Sequence, residues 1–182
     1  MQDYILTYSK TKFYPLDPIE DDIKIIDIAH ALSMLSRANG HFIHFYSVAQ
    51  HSINCYKEAK FRGYSERVQL GCLLHDASES YISDLTRPVK KNLPGYFKIE
   101  EKLQGIIYKK FGVDDFSKEE IEKITDIDDA MLYYEFLELM DEKLFSKEPY
   151  LTIKHDFSQR DFNSVENEFI NAFNKLSEGG IS

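Results

Sequence analysis

From residue 25 onward, apolar positions recur at the three- and four-residue spacing of helices, and few segments alternate as strands do. Ile25, Ile26, Ala29, Leu32 and Leu35 form the first stripe, which stops near Asn39-Gly40, a pair suited to a helix C-terminus. A second helix is predicted from about Ser47 to Gly63, with Val48, Ala49, Ile53, Tyr56 and Ala59 on its apolar side. Ser65 is the expected N-cap of a third helix, which carries Val68, Gly71, Cys72 and Leu74 into the segment HDASESY. The stretch from Ile82 to Pro94 holds two prolines and reads as a loop. A fourth helix, about Tyr96 to Phe111, packs Phe97, Leu103, Ile106 and Ile107 and ends at Gly112.

Ser117-Lys118-Glu119-Glu120 matches a capping box and opens a fifth helix that runs to about Lys143. Phe162, Val165, Phe169, Phe173 and Leu176 mark a sixth, with Gly179-Gly180 as its stop. Ahead of all of these, Tyr4–Tyr8 and Lys12–Tyr14 flank a Ser9-Lys10 turn and are compatible with a short hairpin, after which Pro15 and Pro18 break the chain. The expected fold class is all-α, a compact bundle of about six helices forming a single domain over residues 1–182.

Composition narrows the function classes. Acidic residues outnumber basic ones 31 to 22, giving a formal charge of −9. That surplus argues against a nucleic-acid polymer or an anionic membrane as partner. No stretch approaches the roughly 18 apolar residues of a membrane span, and MQDYILTYSK lacks a signal-peptide pattern, so the expected location is cytoplasmic. Cys55 and Cys72 read as buried thiols in a reducing compartment rather than a disulfide framework. No Walker A loop, dinucleotide glycine fingerprint or G-x-S-x-G elbow occurs.

The distinctive chemistry lies in histidines and acids set among apolar residues. His75 and Asp76 end the run Leu70-Gly71-Cys72-Leu73-Leu74, and Glu79 follows His75 by one helical turn. His51 sits among Val48, Ala49 and Ile53, where an unpaired imidazole is costly. Asp126, Asp128 and Asp129 fall between Ile124, Ile127, Ala130 and Met131, so at least one of them is expected to face inward and need a cation. Two imidazoles with two carboxylates form a mixed set that suits a divalent ion.

The ordered series His51, His75-Asp76 and Asp129 resembles the H…HD…D signature of the HD-domain phosphohydrolases. The match extends through HDASESYISDLTRPVK, which looks like the corresponding segment of the small bacterial 5′-deoxynucleotidases and phage deoxynucleoside triphosphohydrolases. Ile28–Ser33, Arg37, Gly40-His41 and Phe45–Ser52 resemble the entry region of the same branch, so the likeness spans roughly residues 13–140. It implies an all-helical enzyme that hydrolyses phosphate esters with a divalent metal (Mn, Co, Mg, Ni, Fe or Zn).

On this resemblance His51, His75, Asp76 and Asp129 are the implied metal ligands, Asp129 being preferred because the motif sets its last ligand in an Asp-Ala pair. Glu79 is the implied general acid/base, and Asp84 orients the nucleophile or the leaving oxygen. Arg37 and Lys90 are implied at the pocket mouth as phosphate contacts, with Arg87 and Lys91 in reserve; His30 and His41 are further candidates for substrate contact. His44 and His155 read as surface residues, and Phe42, Phe45 and Tyr46 as core aromatics with the option of lining a base-stacking wall. Some relatives carry a lysine three residues before the last ligand, where this chain has Asp126, which removes a potential phosphate contact. The implied substrate is a small nucleotide, a deoxynucleoside 5′-monophosphate ahead of a triphosphate. A homo-oligomer, a dimer first, is the expected assembly.

Overall fold

The computed structural model describes residues 3–178; Gly179-Gly180, the expected stop of the last helix, lie outside the described residues. Among the described residues the fold is all-α apart from one two-stranded antiparallel sheet, β1 (Ile5–Leu6) and β2 (Lys12–Phe13), in which Ile5 pairs with Phe13 and Leu6 with Lys12. Six longer helices follow in chain order with two single-turn ones: α1 (Ile25–Met34), α2 (Val48–Phe61), α3 (Glu66–Leu74), α4 (Glu79–Ile82), α5 (Arg87–Lys90), α6 (Pro94–Lys110), α7 (Lys118–Met140) and α8 (Phe162–Glu178).

Helix starts follow local chemistry. Ser47 Oγ accepts the Gln50 N–H at 3.1 Å to open α2, and Ser65 Oγ accepts that of Val68 at 3.3 Å to open α3. Ser117 and Glu120 close a reciprocal capping box on α7. Pro88 and Pro94 each stand in a first helical turn, where a missing N–H costs nothing. The expected loop from 82 to 94 is irregular except for one short turn of helix, α5.

Two expectations shift. Helix α1 stops at Met34, short of Asn39-Gly40, because the chain swings back to pair Ser36 with Ser47, and the Arg37 N–H reaches the Tyr46 carbonyl at 2.9 Å. Ala38 and Asn39 then take left-handed backbone in a short 3-10 turn, and the excursion sends the Arg37 side chain inward. Phe97, expected in the core, is 57% exposed because it lies roughly 120° around α6 from Leu103.

The main core gathers Phe13, Ile28, Leu32, Ile53, Leu73 and Phe169 between α1, α2, α3 and α8, all fully buried. A second cluster, with Cys55, Cys72, Ile127 and Met131, sits where α2, α3 and α7 meet. Gly71 makes that junction tight: a Cβ there would lie 2.6 Å from Ile124 Cδ1 and 2.8 Å from the Phe116 ring. A side chain at residue 71 would have to displace the tips of Ile124 and Phe116, at a junction whose helices carry the functional residues described below.

Candidate metal centre

Four side chains from three helices and the turn after α3 converge at one point. His51, in the second turn of α2, and His75, at the end of α3, bring their Nε2 atoms to 3.1 Å. Asp128 Oδ1, from α7, lies 3.2 Å from the first and 3.6 Å from the second. Asp76 Oδ2 lies 3.8 Å and 3.4 Å from the same two nitrogens. An ion at about 2.1 Å from each donor would need ligand separations of about 3.0 Å in an octahedron or about 3.4 Å in a tetrahedron. The observed spacings, 3.1 to 3.8 Å, start just above the octahedral value and bracket the tetrahedral one.

Hydrogen bonds behind the histidines sharpen the case for a cation. His51 Nδ1 lies 2.6 Å from Glu135 Oε1, and His75 Nδ1 lies 2.8 Å from the Cys72 carbonyl. Both partners accept only, so each Nδ1 carries a proton and each Nε2 of a neutral ring presents a lone pair. Two lone pairs 3.1 Å apart repel unless a proton or a metal lies between them. Burial opposes a charged imidazole at both rings, and Arg37 does so at His51, yet neighbouring acidic groups hold both above the ordinary histidine range: Cys55, Glu135 and Asp128 at His51, Asp76 and Asp128 at His75. Burial would likewise raise the Asp128 carboxyl, but bonds from His51 and His75 hold it well below its usual range. The donor set fits a divalent ion.

The structure brings Asp128 to the two histidines, whereas the resemblance implied Asp129. One residue of helix turns a side chain by about 100°, which carries Asp129 away from the histidines. Asp129 Oδ1 instead lies 2.7 Å from Arg87 Nη2, which also reaches the outer oxygen of Asp128 at 3.2 Å.

Arg37 also departs from its expected place at the mouth. Only 9% exposed, it lies behind the donors, its Nη1 donating to Asp76 Oδ2 at 3.1 Å and its Nη2 to Glu135 Oε2 at 3.2 Å. Glu135, fully buried, thus bridges His51 and Arg37, and it is the residue the sequence reading missed. Its signal was present: a glutamate inside the apolar run Tyr133-Tyr134-Glu135-Phe136-Leu137, two turns past Asp128.

Glu79, on α4, is buried beside the donors. Its Oε1 accepts from Lys90 Nζ at 2.8 Å, whereas Oε2 has no partner among the described residues. Burial, then the charges of Asp76 and Asp84, hold this carboxyl well above its usual range despite Lys90. Asp84 is half-buried in the turn that follows, and Lys90 is shared with Glu100 at 2.6 Å. His75 and Asp128 also line a cleft of about 370 Å³ whose walls include Tyr108, Phe116, Ile121 and Ile124.

The remaining expected contacts lie elsewhere. His30 stacks on Tyr8 and bonds Glu166 Oε2 at 3.0 Å, and His41 is exposed. His155, expected on the surface, is buried with its Nε2 2.9 Å from Glu58 Oε2, because the irregular segment 141–161 folds back over α2. Phe42 and Tyr46 are core residues packed with Phe136 and Phe157. A larger cleft, about 580 Å³, lies between the end of α7 and residues 151–158 and contains none of the four donors.

No family model matches the chain. Over 110 residues it is 40% identical to the uncharacterized protein YfdR of Escherichia coli K12, a match covering 60% of this chain and 59% of that protein. Over 104 residues it is 39% identical to an uncharacterized protein of Rhodobacter capsulatus, covering 54% and 53%. The chain thus spans little more than half the length of these curated relatives. No described helix is long and apolar enough to cross a membrane.

Proposed function

We propose that the protein is a metal-dependent phosphohydrolase of the HD-domain type that cleaves deoxynucleoside 5′-monophosphates to nucleoside and phosphate. The observation that carries this reading is the meeting of two bare imidazole nitrogens with two carboxylates next to a buried glutamate that has one oxygen free. His51, His75, Asp76 and Asp128 would hold the ion. When bound, a divalent ion polarises a phosphoryl oxygen and makes water acidic near neutral pH.

The chain's own groups supply the rest. Glu79, whose Oε2 is left without a partner, would take the proton of an attacking water, and its raised affinity for protons suits later delivery to the leaving ribose oxygen. Lys90 fixes the other oxygen of Glu79, so the free one is held in place. Arg87, its side chain about half exposed, is the cation best able to leave Asp128 and Asp129 for a phosphate. With Arg37 committed to Asp76 and Glu135, little positive charge is left over, which favours one phosphate over three. The deoxynucleoside moiety rests on the resemblance of HDASESYISDLTRPVK to the deoxynucleotidases.

The test is a screen of metal-stripped protein, reloaded in turn with Mn, Co, Mg, Ni, Fe or Zn, against deoxynucleoside and ribonucleoside monophosphates and deoxynucleoside triphosphates. Phosphate release from the deoxynucleoside monophosphates is expected, and no turnover with any ion overturns the reading. Glu79→Gln should keep its metal by elemental analysis and lose roughly 10²–10⁴ in rate.

A further inference from the structure

A fifth donor lies beneath the four already described. Cys55 follows His51 by one turn of α2, and its Sγ is 3.5 Å from His51 Nε2. Ligand atoms of His51, Cys55 and His75 all lie within 4.8 Å of one another. With zinc-to-sulfur and zinc-to-nitrogen bonds of about 2.3 and 2.0–2.1 Å, the sulfur–nitrogen edge of a tetrahedral site is about 3.5 Å. His51 Nε2 thus has three donors within 3.5 Å: His75 Nε2 at 3.1 Å, Asp128 Oδ1 at 3.2 Å and Cys55 Sγ at 3.5 Å, the last matching the tetrahedral sulfur–nitrogen edge.

We propose that Cys55 is a metal ligand in this chain, giving zinc-class ions a His51–Cys55–His75–Asp128 site. It rests on the reading above only for an ion held by His51, His75 and Asp128, exchanges Asp76 of that ligand set for the thiol, and does not depend on the hydrolytic part. Asp76 is the donor left over. The oxygen it turns toward the histidines is already held by Arg37 at 3.1 Å, whereas the thiol's one hydrogen-bond contact among the described residues is with His51 itself. Thiolate is a soft donor, so its inclusion tilts the site toward zinc, cobalt and cadmium and away from magnesium and manganese. Binding replaces the S–H bond by a metal–sulfur bond and releases the proton to solvent, with no change of oxidation state. Cys72 is the internal control. It is equally buried and nearby, but its carbonyl, not its thiol, meets His75.

The test is X-ray absorption of the zinc-loaded full chain, with the absorption spectrum of the cobalt-loaded chain as second readout. One sulfur scatterer at about 2.3 Å is expected, together with a thiolate-to-cobalt charge-transfer band in the near ultraviolet. Both signals should vanish in Cys55→Ser and persist in Cys72→Ser. An ion bound through nitrogen and oxygen alone overturns the role of Cys55 and leaves the four-donor centre standing. A chain that binds neither zinc nor cobalt overturns both. If Cys55→Ser fails to fold, the sulfur shell of the unaltered zinc-loaded chain still decides the matter.

Discussion

Two buried glutamates in this molecule keep nearly identical company. Glu135 lies between His51 Nδ1 at 2.6 Å and Arg37 Nη2 at 3.2 Å. Glu58 lies between His155 Nε2 at 2.9 Å and Arg62 Nε at 2.8 Å, with the Thr152 N–H as a third donor at 2.8 Å. Both are fully buried, and both are satisfied by a histidine and an arginine. What separates them is the far side of each imidazole. His51 turns its second nitrogen onto His75 and Asp128, whereas the second nitrogen of His155 is buried with no partner among the described residues. The Glu58 group ties the irregular segment 141–161 to α2, and the Glu135 group orients a donor. A buried Glu–His–Arg trio is therefore no sign of chemistry by itself; the convergence of further donors on the free nitrogen is.

The largest effect that would break the contrast is expected at Asp128. Asp128→Ala should abolish metal retention and turnover, while Asp129→Ala, one residue along, should keep the metal. Elemental analysis of the two purified variants checks this, and the reverse result would restore the ligand that the family pattern suggested.

A smaller effect is expected from Glu135→Gln, which keeps the shape but loses the charge behind His51. Metal affinity should fall by about 10–100-fold, the usual cost of losing a group that orients a ligand. Glu58→Gln should leave metal affinity unchanged by titration calorimetry. Both variants should lower stability, by at most about 3–5 kcal/mol, the range for breaking a buried pair.

The smallest effect is one of pH. Bonds from His155, Arg62 and Thr152 overcome burial and bring the Glu58 carboxyl from its ordinary 4.5 down to about 2. A carboxyl depressed on folding contributes stability that is complete above about pH 4.5 and is lost as pH falls toward 2. The acid limb of urea unfolding midpoints should therefore flatten between these values in Glu58→Gln.

Much of the fold was legible in the chain. The serines at 47, 65 and 117 each cap a helix as their local sequence predicts, since capping depends on neighbours within one turn. The end of α1 was less legible, because it is set by pairing of Ser36 with Ser47, across the chain reversal. Burial of His155 depends on Glu58, nearly a hundred residues away, and local polarity carries no trace of it. At the candidate centre, His51, His75 and Asp76 stood out by their apolar surroundings. The choice between Asp128 and Asp129 needed the rotation of α7, which three acids within four residues do not specify. Arg37 read as a phosphate contact because the family resemblance implies a place for it at the pocket mouth. Only its two carboxylate partners, one in the turn after α3 and one on α7, explain its burial.

Helix α7 carries both Asp128 and Glu135, one meeting the outer nitrogen of His51 and the other its inner one. Seven residues fall only about 20° short of two full turns. The two acids thus grip one imidazole like jaws spaced by a fixed count of residues, and a single insertion or deletion between them would swing one jaw away by about 100°. The stretch from 128 to 135 should accordingly accept changes of side chain at its outward positions while holding its length constant wherever this centre is kept.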